Sequence, residues 1–165
     1  MLYSIKKVHL IGIGGIGMSG IAELLKNKEF VVSGSDIADS PNVQRLIDLG
    51  INVSIGHNKE NISDAELVIY SDAIPKDNVE LIEALAKNII VYSRARMISE
   101  IAKLNNSTVA IAGTHGKTTT TSMVGTILKS MNLDPTIIVG GVVKSLESNS
   151  VLGGGDTFVV EADEY

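Results

Sequence analysis

The chain has 165 residues, 44% hydrophobic and 20% charged, which suits a folded globular protein of one domain, or one domain plus part of another, and excludes a disordered one. A net charge of -5 argues against an electrostatic grip on nucleic acid, and the lack of cysteine excludes disulfides and thiolate metal sites. The apolar run Val8 to Leu25, behind Lys6 and Lys7, is interrupted by His9, Ser19 and five glycines and lacks a cleavage pattern, so the expectation is a cytoplasmic protein with no membrane partner.

Short β-branched runs recur at 8–11, 30–33, 51–55, 67–70, 89–92, 107–112, 136–139 and 157–160, and most are separated by segments of helical period. Met18, Ile21, Leu24 and Leu25 share one helical face. Val43, Leu46 and Ile47 share another, with Ser40 and Pro41 as N-cap and first residue and Gly50 as the stop. Later helices are predicted to turn Ile82, Leu85 and Ala86 inward, then Ile98, Ile101 and Ala102, then Met123, Ile127 and Met131 with Val124 and Leu128 beside them. Strands alternating with helices imply an α/β fold, a parallel sheet covered on both faces. The polar stretch 103–107 predicts a boundary, giving a Rossmann-like domain over 1–104 and the start of a second domain over 105–165. Gly153 to Gly155 reads as a flexible turn, and the second unit, with two or three strands and one helix, as unfinished.

Two glycine-rich loops carry the chemistry. Gly12, Gly14 and Gly17 stand in the G-x-G-x-x-G spacing between a strand and a helix, the context in which such a loop approaches a nucleotide diphosphate. The helix N-terminus adds unpaired amides and a partial positive charge. Asp36, ending the second strand, is placed to accept a hydrogen bond from a ribose hydroxyl, or only to cap a turn. The second loop, Gly113 to Thr119, follows another strand and contains the G-K-T core Gly116, Lys117 and Thr118. Its amides, from Gly113 through Thr114, His115 and Gly116 to Thr119, would cradle phosphates. Lys117 would neutralise them, and the Thr118 hydroxyl would bind magnesium. The usual first glycine would fall at Ile111, so the loop is a shortened variant. The carboxylate that completes a magnesium site is sought among Glu161, Asp163 and Glu164, with Glu161 favoured because it follows T-F-V-V directly.

The strings G-I-G-G-I-G-M-S-G, S-D-A-I, A-G-T-H-G-K-T-T-T, G-G-V-V-K and E-A-D-E together resemble the Mur ligase family, in its branch that adds L-alanine to UDP-N-acetylmuramate. The resemblance implies a Rossmann-like UDP-binding domain followed by the first part of a P-loop ATPase domain, the central domain of these ligases. It implies peptidoglycan precursor synthesis by ATP-dependent amide formation through an acyl phosphate, with Mg²⁺. A piece of this length is expected to bind the UDP-sugar without turning over. By position, the resemblance assigns Gly14, Gly15, Ile16, Gly17 and Met18 to the diphosphate. It assigns Ser71 to Ile74, Ala73 included, to the uridine pocket, and His57 to the neighbourhood of the nucleotide. His115 would polarise phosphate or shape the loop. Y-S-R-A-R-M departs from the expected R-A-x-M pattern by Arg96, which leaves Arg94 and Arg96 without an assigned role. A nicotinamide-dependent oxidoreductase using Asp36 is the alternative but leaves the second loop unexplained. A non-catalytic nucleotide-binding module is a third.

Overall fold

The structure, a computed structural model, describes residues 4–143 and 148–162. It divides into two compact units, Met1–Met97 and Ile98–Tyr165.

In the first unit β1 (Lys7–Ile11), α1 (Ile16–Asn27), β2 (Val31–Asp36), α2 (Pro41–Asp48) and β3 (Asn52–Ile55) follow one another. A 3₁₀ turn (Lys59–Ile62) leads to β4 (Leu67–Tyr70), α3 (Val79–Ala86), β5 (Ile90–Ser93) and α4 (Arg94–Ala102). The strands form one parallel sheet in the order β3-β2-β1-β4-β5. From β1 the chain moves outward through β2 to β3, then returns to the far side of β1 as β4. The strand order therefore reverses between β1 and β4, and a crevice opens there at the carboxyl ends of the strands.

Local signals explain the helices. The Ser40 hydroxyl accepts from the Val43 amide and Pro41 opens α2, as the sequence predicts. Gly50 follows α2 with φ +77°, so its amide can close on Ile47. Met18, Ile21, Leu24 and Leu25 of α1 are all buried, and Arg45 of α2 meets Glu23 of α1 at 2.7 Å.

For α3 the predicted face is wrong. Ile82 and Leu85 are 52% and 61% exposed, while Leu81 and Ala84 are buried beside Ile11, Ile62 and Val68. The buried side of this helix also carries a charged residue, Glu80, with no exposure at all. Apolar periodicity is blind to a face that buries a carboxylate, and so selects the neighbouring one.

The predicted boundary after 104 lies in the turn that ends α4, whereas the two units divide inside that helix, between Met97 and Ile98. The second unit continues with β6 (Ser107–Ile111), α5 (Lys117–Ser130), β7 (Thr136–Val143), β8 (Ser148–Val151) and β9 (Thr157–Glu161). Its sheet runs β6-β9-β7-β8, with β8 antiparallel to β7, so the described residues hold one strand more than the sequence suggests and not all are parallel. S-N-S-V lacks the apolar run that marks the other strands. Val124 and Leu128 pack on the core of Ile137, Val139 and Val159, whereas Met123, Ile127 and Met131 are exposed. Thr121, Ser122 and Gly125 take the buried positions, Gly125 because its site lies against the Ile137 side chain.

The turn Gly153 to Gly155 is firmly held rather than flexible. Gly154 donates to the Asp134 carboxylate at 2.7 Å, Gly155 to the Asp134 carbonyl at 2.9 Å, and Gly153 to the Thr136 hydroxyl at 3.2 Å. Among the described residues no helix is long and apolar enough to cross a membrane.

Candidate nucleotide-binding sites

The first loop is shaped by the strand beside it. Gly12, at φ +76°, turns the chain so that its amide and that of Ile13 both donate to the Ser35 carbonyl, at 2.8 and 3.0 Å. The Gly14 amide donates to Oδ2 of Asp36 at 2.8 Å, and Asn42 donates to the Gly14 carbonyl at 2.9 Å. A Cβ on Gly14 would lie 2.7 Å from Val43 and 2.9 Å from the Asp36 carboxylate, so close approach excludes any side chain there. Oδ1 of Asp36 accepts from Ala38 at 3.2 Å. Asp36 therefore braces the loop, and the Gly14 amide is already engaged.

The amides that remain belong to the start of α1. Gly15 caps this helix without a side-chain hydrogen bond, and the first intrahelical bonds are donated by Met18 and Ser19 to the Gly15 carbonyl. The N–H groups of Ile16 and Gly17 thus have no helical acceptor, and they carry the positive end of the helix dipole. Arg94, the first residue of α4, lies against this turn: a Cβ on Gly17 would fall 2.5 Å from its guanidinium. A cation beside a helix N-terminus is electrostatically unfavourable unless an anion lies between them, so the pair is a candidate anion site. Sequence reasoning left Arg94 unassigned. The signal was its place directly after β5, at the carboxyl end of the sheet. Arg96 instead stacks on Tyr92, 5.5 Å from the ring centre.

Ser71 to Ile74 adjoin the same loop. Ile74 donates to the Ser71 carbonyl at 2.9 Å and Ala73 to the Ser71 hydroxyl at 3.3 Å. A Cβ on Gly12 would touch Ile74 at 3.2 Å and Ser71 at 3.6 Å. The S-D-A-I turn and the glycine turn thus form adjoining walls where the strand order reverses.

His57 follows β3 and meets a separate group of residues. Its Nδ1 lies 3.0 Å from the Ser35 hydroxyl and 3.6 Å from Oε2 of Glu80. Glu80 is the hub of a polar cluster. Oε2 accepts from Ser35 at 2.6 Å and faces Nε2 of His9 at 3.4 Å, while Oε1 accepts from Asn61 at 2.6 Å and the Asn58 amide at 3.1 Å. Burial pushes this carboxyl up, but hydrogen bonds from His9, Ser35, Asn61 and Asn58 outweigh it and hold its pKa at about 2.

In the second unit β6 ends at Ile111 and the loop runs to Gly116, which caps α5 at φ +78°. No atom would obstruct a Cβ on Gly116, so glycine is required there for its left-handed backbone alone. Lys117 folds back over the loop and donates to the Gly113 carbonyl at 2.8 Å. The amides of Thr118 and Thr119 lie in the first turn of α5, before the first helical bond, from Thr120 to the Gly116 carbonyl at 2.9 Å. His115 is exposed and contacts the Thr114 hydroxyl at 3.3 Å. Glu161 pairs in register with Ile111, and Ala162 donates to the Ile111 carbonyl at 2.9 Å, so this carboxylate shares a sheet end with the loop. Asp163 and Glu164 lie outside the described residues.

Two glycine-rich loops, each between a strand and a helix, stand in an α/β fold. The model for the Mur ligase family, catalytic domain, matches residues 7–106, and the chain belongs to this family. It is 55% identical over 157 residues to UDP-N-acetylmuramate--L-alanine ligase of Xanthobacter autotrophicus and 57% identical to that of Rhizobium meliloti. Each alignment covers 95% of this chain and 33% of the relative, so the chain spans about a third of the length of these curated relatives. Among solved structures, UDP-N-acetylmuramate-alanine ligase MurC of Thermotoga maritima superposes with a TM-score of 0.84 at 34% identity, over 94% of this chain and 37% of that one. UDP-N-acetylmuramate:L-alanyl-gamma-D-glutamyl-meso-diaminopimelate ligase of Neisseria meningitides gives 0.86 at 30% identity, over 98% and 54%. These matches support the ligase expectation and leave the oxidoreductase alternative without support.

Proposed function

We propose that the first unit binds the diphosphate of UDP-N-acetylmuramate and that the second begins the ATP site of an L-alanine-adding Mur ligase. The observation that carries the reading is the anion site made by the Ile16 and Gly17 amides and the Arg94 guanidinium, beside the turn at Ser71 to Ile74. Gly12, Gly14, Gly15 and Met18 shape and anchor the loop, and Asp36 braces it through Gly14 while keeping lone pairs for a ribose hydroxyl. His57 faces the nucleotide.

In the whole enzyme, the γ-phosphoryl of ATP passes to the muramate carboxylate, giving an acyl phosphate and ADP. The amine of L-alanine then attacks the acyl carbon, forming the amide and releasing phosphate. Lys117 neutralises charge on the transferring phosphoryl, and the amides of Gly113 to Thr119 orient it. The Thr118 hydroxyl, at the start of α5, and the Glu161 carboxylate, at the end of β9 level with Ile111, are hard oxygen donors suited to Mg²⁺. When bound, the ion supplies further neutralisation of phosphate charge. The reaction belongs to peptidoglycan precursor synthesis in the cytoplasm, and the first unit contributes the UDP-sugar binding.

Calorimetric titration with UDP-N-acetylmuramate, UDP, ATP-Mg and NADH tests the assignment. UDP-sugar binding at one site is expected. Gly14→Ala should abolish it while the far-ultraviolet spectrum stays native, with a stability loss of about 1–3 kcal/mol from overpacking against Val43. NADH binding with no response to the UDP-sugar would overturn the reading.

A further inference from the structure

We propose that Glu80 is a positioning residue which, through the Ser35 hydroxyl, fixes the His57 ring with a proton on Nδ1, so that Nε2 of the neutral ring is the acceptor for a hydrogen-bond donor of the bound nucleotide-sugar. The proposal rests on the first unit being the UDP-sugar site.

The argument is a proton count. Glu80 is buried and ionised, so both oxygens can only accept. The Ser35 hydroxyl has a single proton and gives it to Oε2 of Glu80 at 2.6 Å. The same hydroxyl oxygen lies 3.0 Å from Nδ1 of His57 and has only lone pairs left to offer, so Nδ1 must donate. The carboxylate charge, 3.6 Å from Nδ1, favours a proton there as well. A neutral imidazole with its proton on Nδ1 has a bare lone pair on Nε2.

The other groups around the carboxylate leave the outcome unchanged. Asn61 and the Asn58 amide donate to Oε1. His9 approaches Oε2 at 3.4 Å through Nε2, and its Nδ1 lies 2.9 Å from the Ser33 hydroxyl. Neither histidine competes for the Ser35 proton. Among the described residues nothing bonds to Nε2 of His57, although the side chain is only 15% exposed. An acceptor held in a nearly closed position selects for a donor.

Ser35 also ties this device to the phosphate loop, because its carbonyl receives the Gly12 and Ile13 amides. One residue therefore sets both the glycine turn and the histidine. The complementary chemistry is a hydrogen-bond donor, which UDP-N-acetylmuramate carries on the uracil imide and ribose hydroxyls of its nucleotide and on the acetamido and hydroxyl groups of its sugar.

Ring-nitrogen NMR of the ¹⁵N-labelled chain tests this directly, with His57 assigned by His57→Gln. On the high-pH plateau Nδ1 should be protonated and Nε2 bare, and Ser35→Ala should release that preference. A wild-type ring protonated mainly on Nε2 overturns the proposal and needs no variant to fold.

UDP and UDP-N-acetylmuramate are then added separately. A shift of Nε2 with UDP alone places the donor on the nucleotide; a shift only with the full ligand places it on the sugar. Affinity should fall about tenfold in His57→Leu and recover largely in His57→Gln, which restores a carbonyl acceptor. Saturable binding that leaves Nε2 unmoved overturns the proposal while the UDP-sugar site stands. Absence of any UDP-sugar binding to the wild-type chain overturns the site and the acceptor role together.

Discussion

Glu80 has no exposed surface and yet stays ionised, because four hydrogen-bond donors replace the water it has lost. Its pKa is about 2 in the folded chain against 4.5 for an unperturbed glutamate, and the sign of the pH effect follows. The stability it contributes is fully present above the unfolded value and is lost as pH falls toward 2. A shift of this size corresponds to roughly 3 kcal/mol. Urea unfolding of wild type and Glu80→Gln should therefore differ most at about pH 7 and converge only at about pH 2. An equal gap at both values would mean that the charge is not the source. Nothing in the sequence around N-V-E-L-I-E marks Glu80 as buried, because its partners come from β1, β2 and the segment after β3.

At the scale of elements, the helix termini were legible and the helix faces only partly so. Ser40 and Pro41 start α2 by contacts within four residues, so neighbours in the chain suffice to predict them. Asn78 does the same for α3, accepting from Glu80 at 2.9 Å and Leu81 at 3.2 Å, and the amide it holds belongs to the buried carboxylate residue. Asn78→Ala should cost about 1–2 kcal/mol, at the upper end for a cap because the site is buried, measured by thermal or urea unfolding. Loss below the range for an exposed cap would show that the helix start is held by packing alone. The misjudged face of α3 and the exposed Met123, Ile127 and Met131 of α5 share one cause. Periodicity ranks faces by apolar content, whereas packing also buries small and polar residues where a strand comes close, as Gly125 does beside Ile137.

The chain divides into two units with a glycine-rich loop in each, and this division yields a prediction about ligand response. UDP-N-acetylmuramate binds only the first unit on the reading proposed above, and a ligand at 100 times its Kd stabilises its site by about 2.7 kcal/mol. Hydrogen exchange should slow across 7–97, most of all in 12–18 and 71–74, and remain unchanged across β6, α5 and β9. Protection spreading equally into 107–161 would contradict the assignment of the UDP-sugar to the first unit. The two loops differ in how much of their chemistry the chain supplies. Around the first stand Asp36, Ser71 and Arg94, whereas the second has its lysine and threonine and one described carboxylate, Glu161.

Both glycine loops were determined by the sequence alone. A strand, a glycine turn and a helix start are consecutive in the chain, so their succession is legible locally, even though the first turn closes on Ser35 of the neighbouring strand. The α/β alternation and most strands were legible for the same reason. Only the tertiary structure decided that Arg94 lies over Gly17, that Asp36 spends an oxygen on Gly14, and that Glu80 reaches His57 through Ser35. Those residues come from separate strands and helices. Their meeting depends on the strand order β3-β2-β1-β4-β5 and on the packing of α3 against the sheet, which no local pattern encodes.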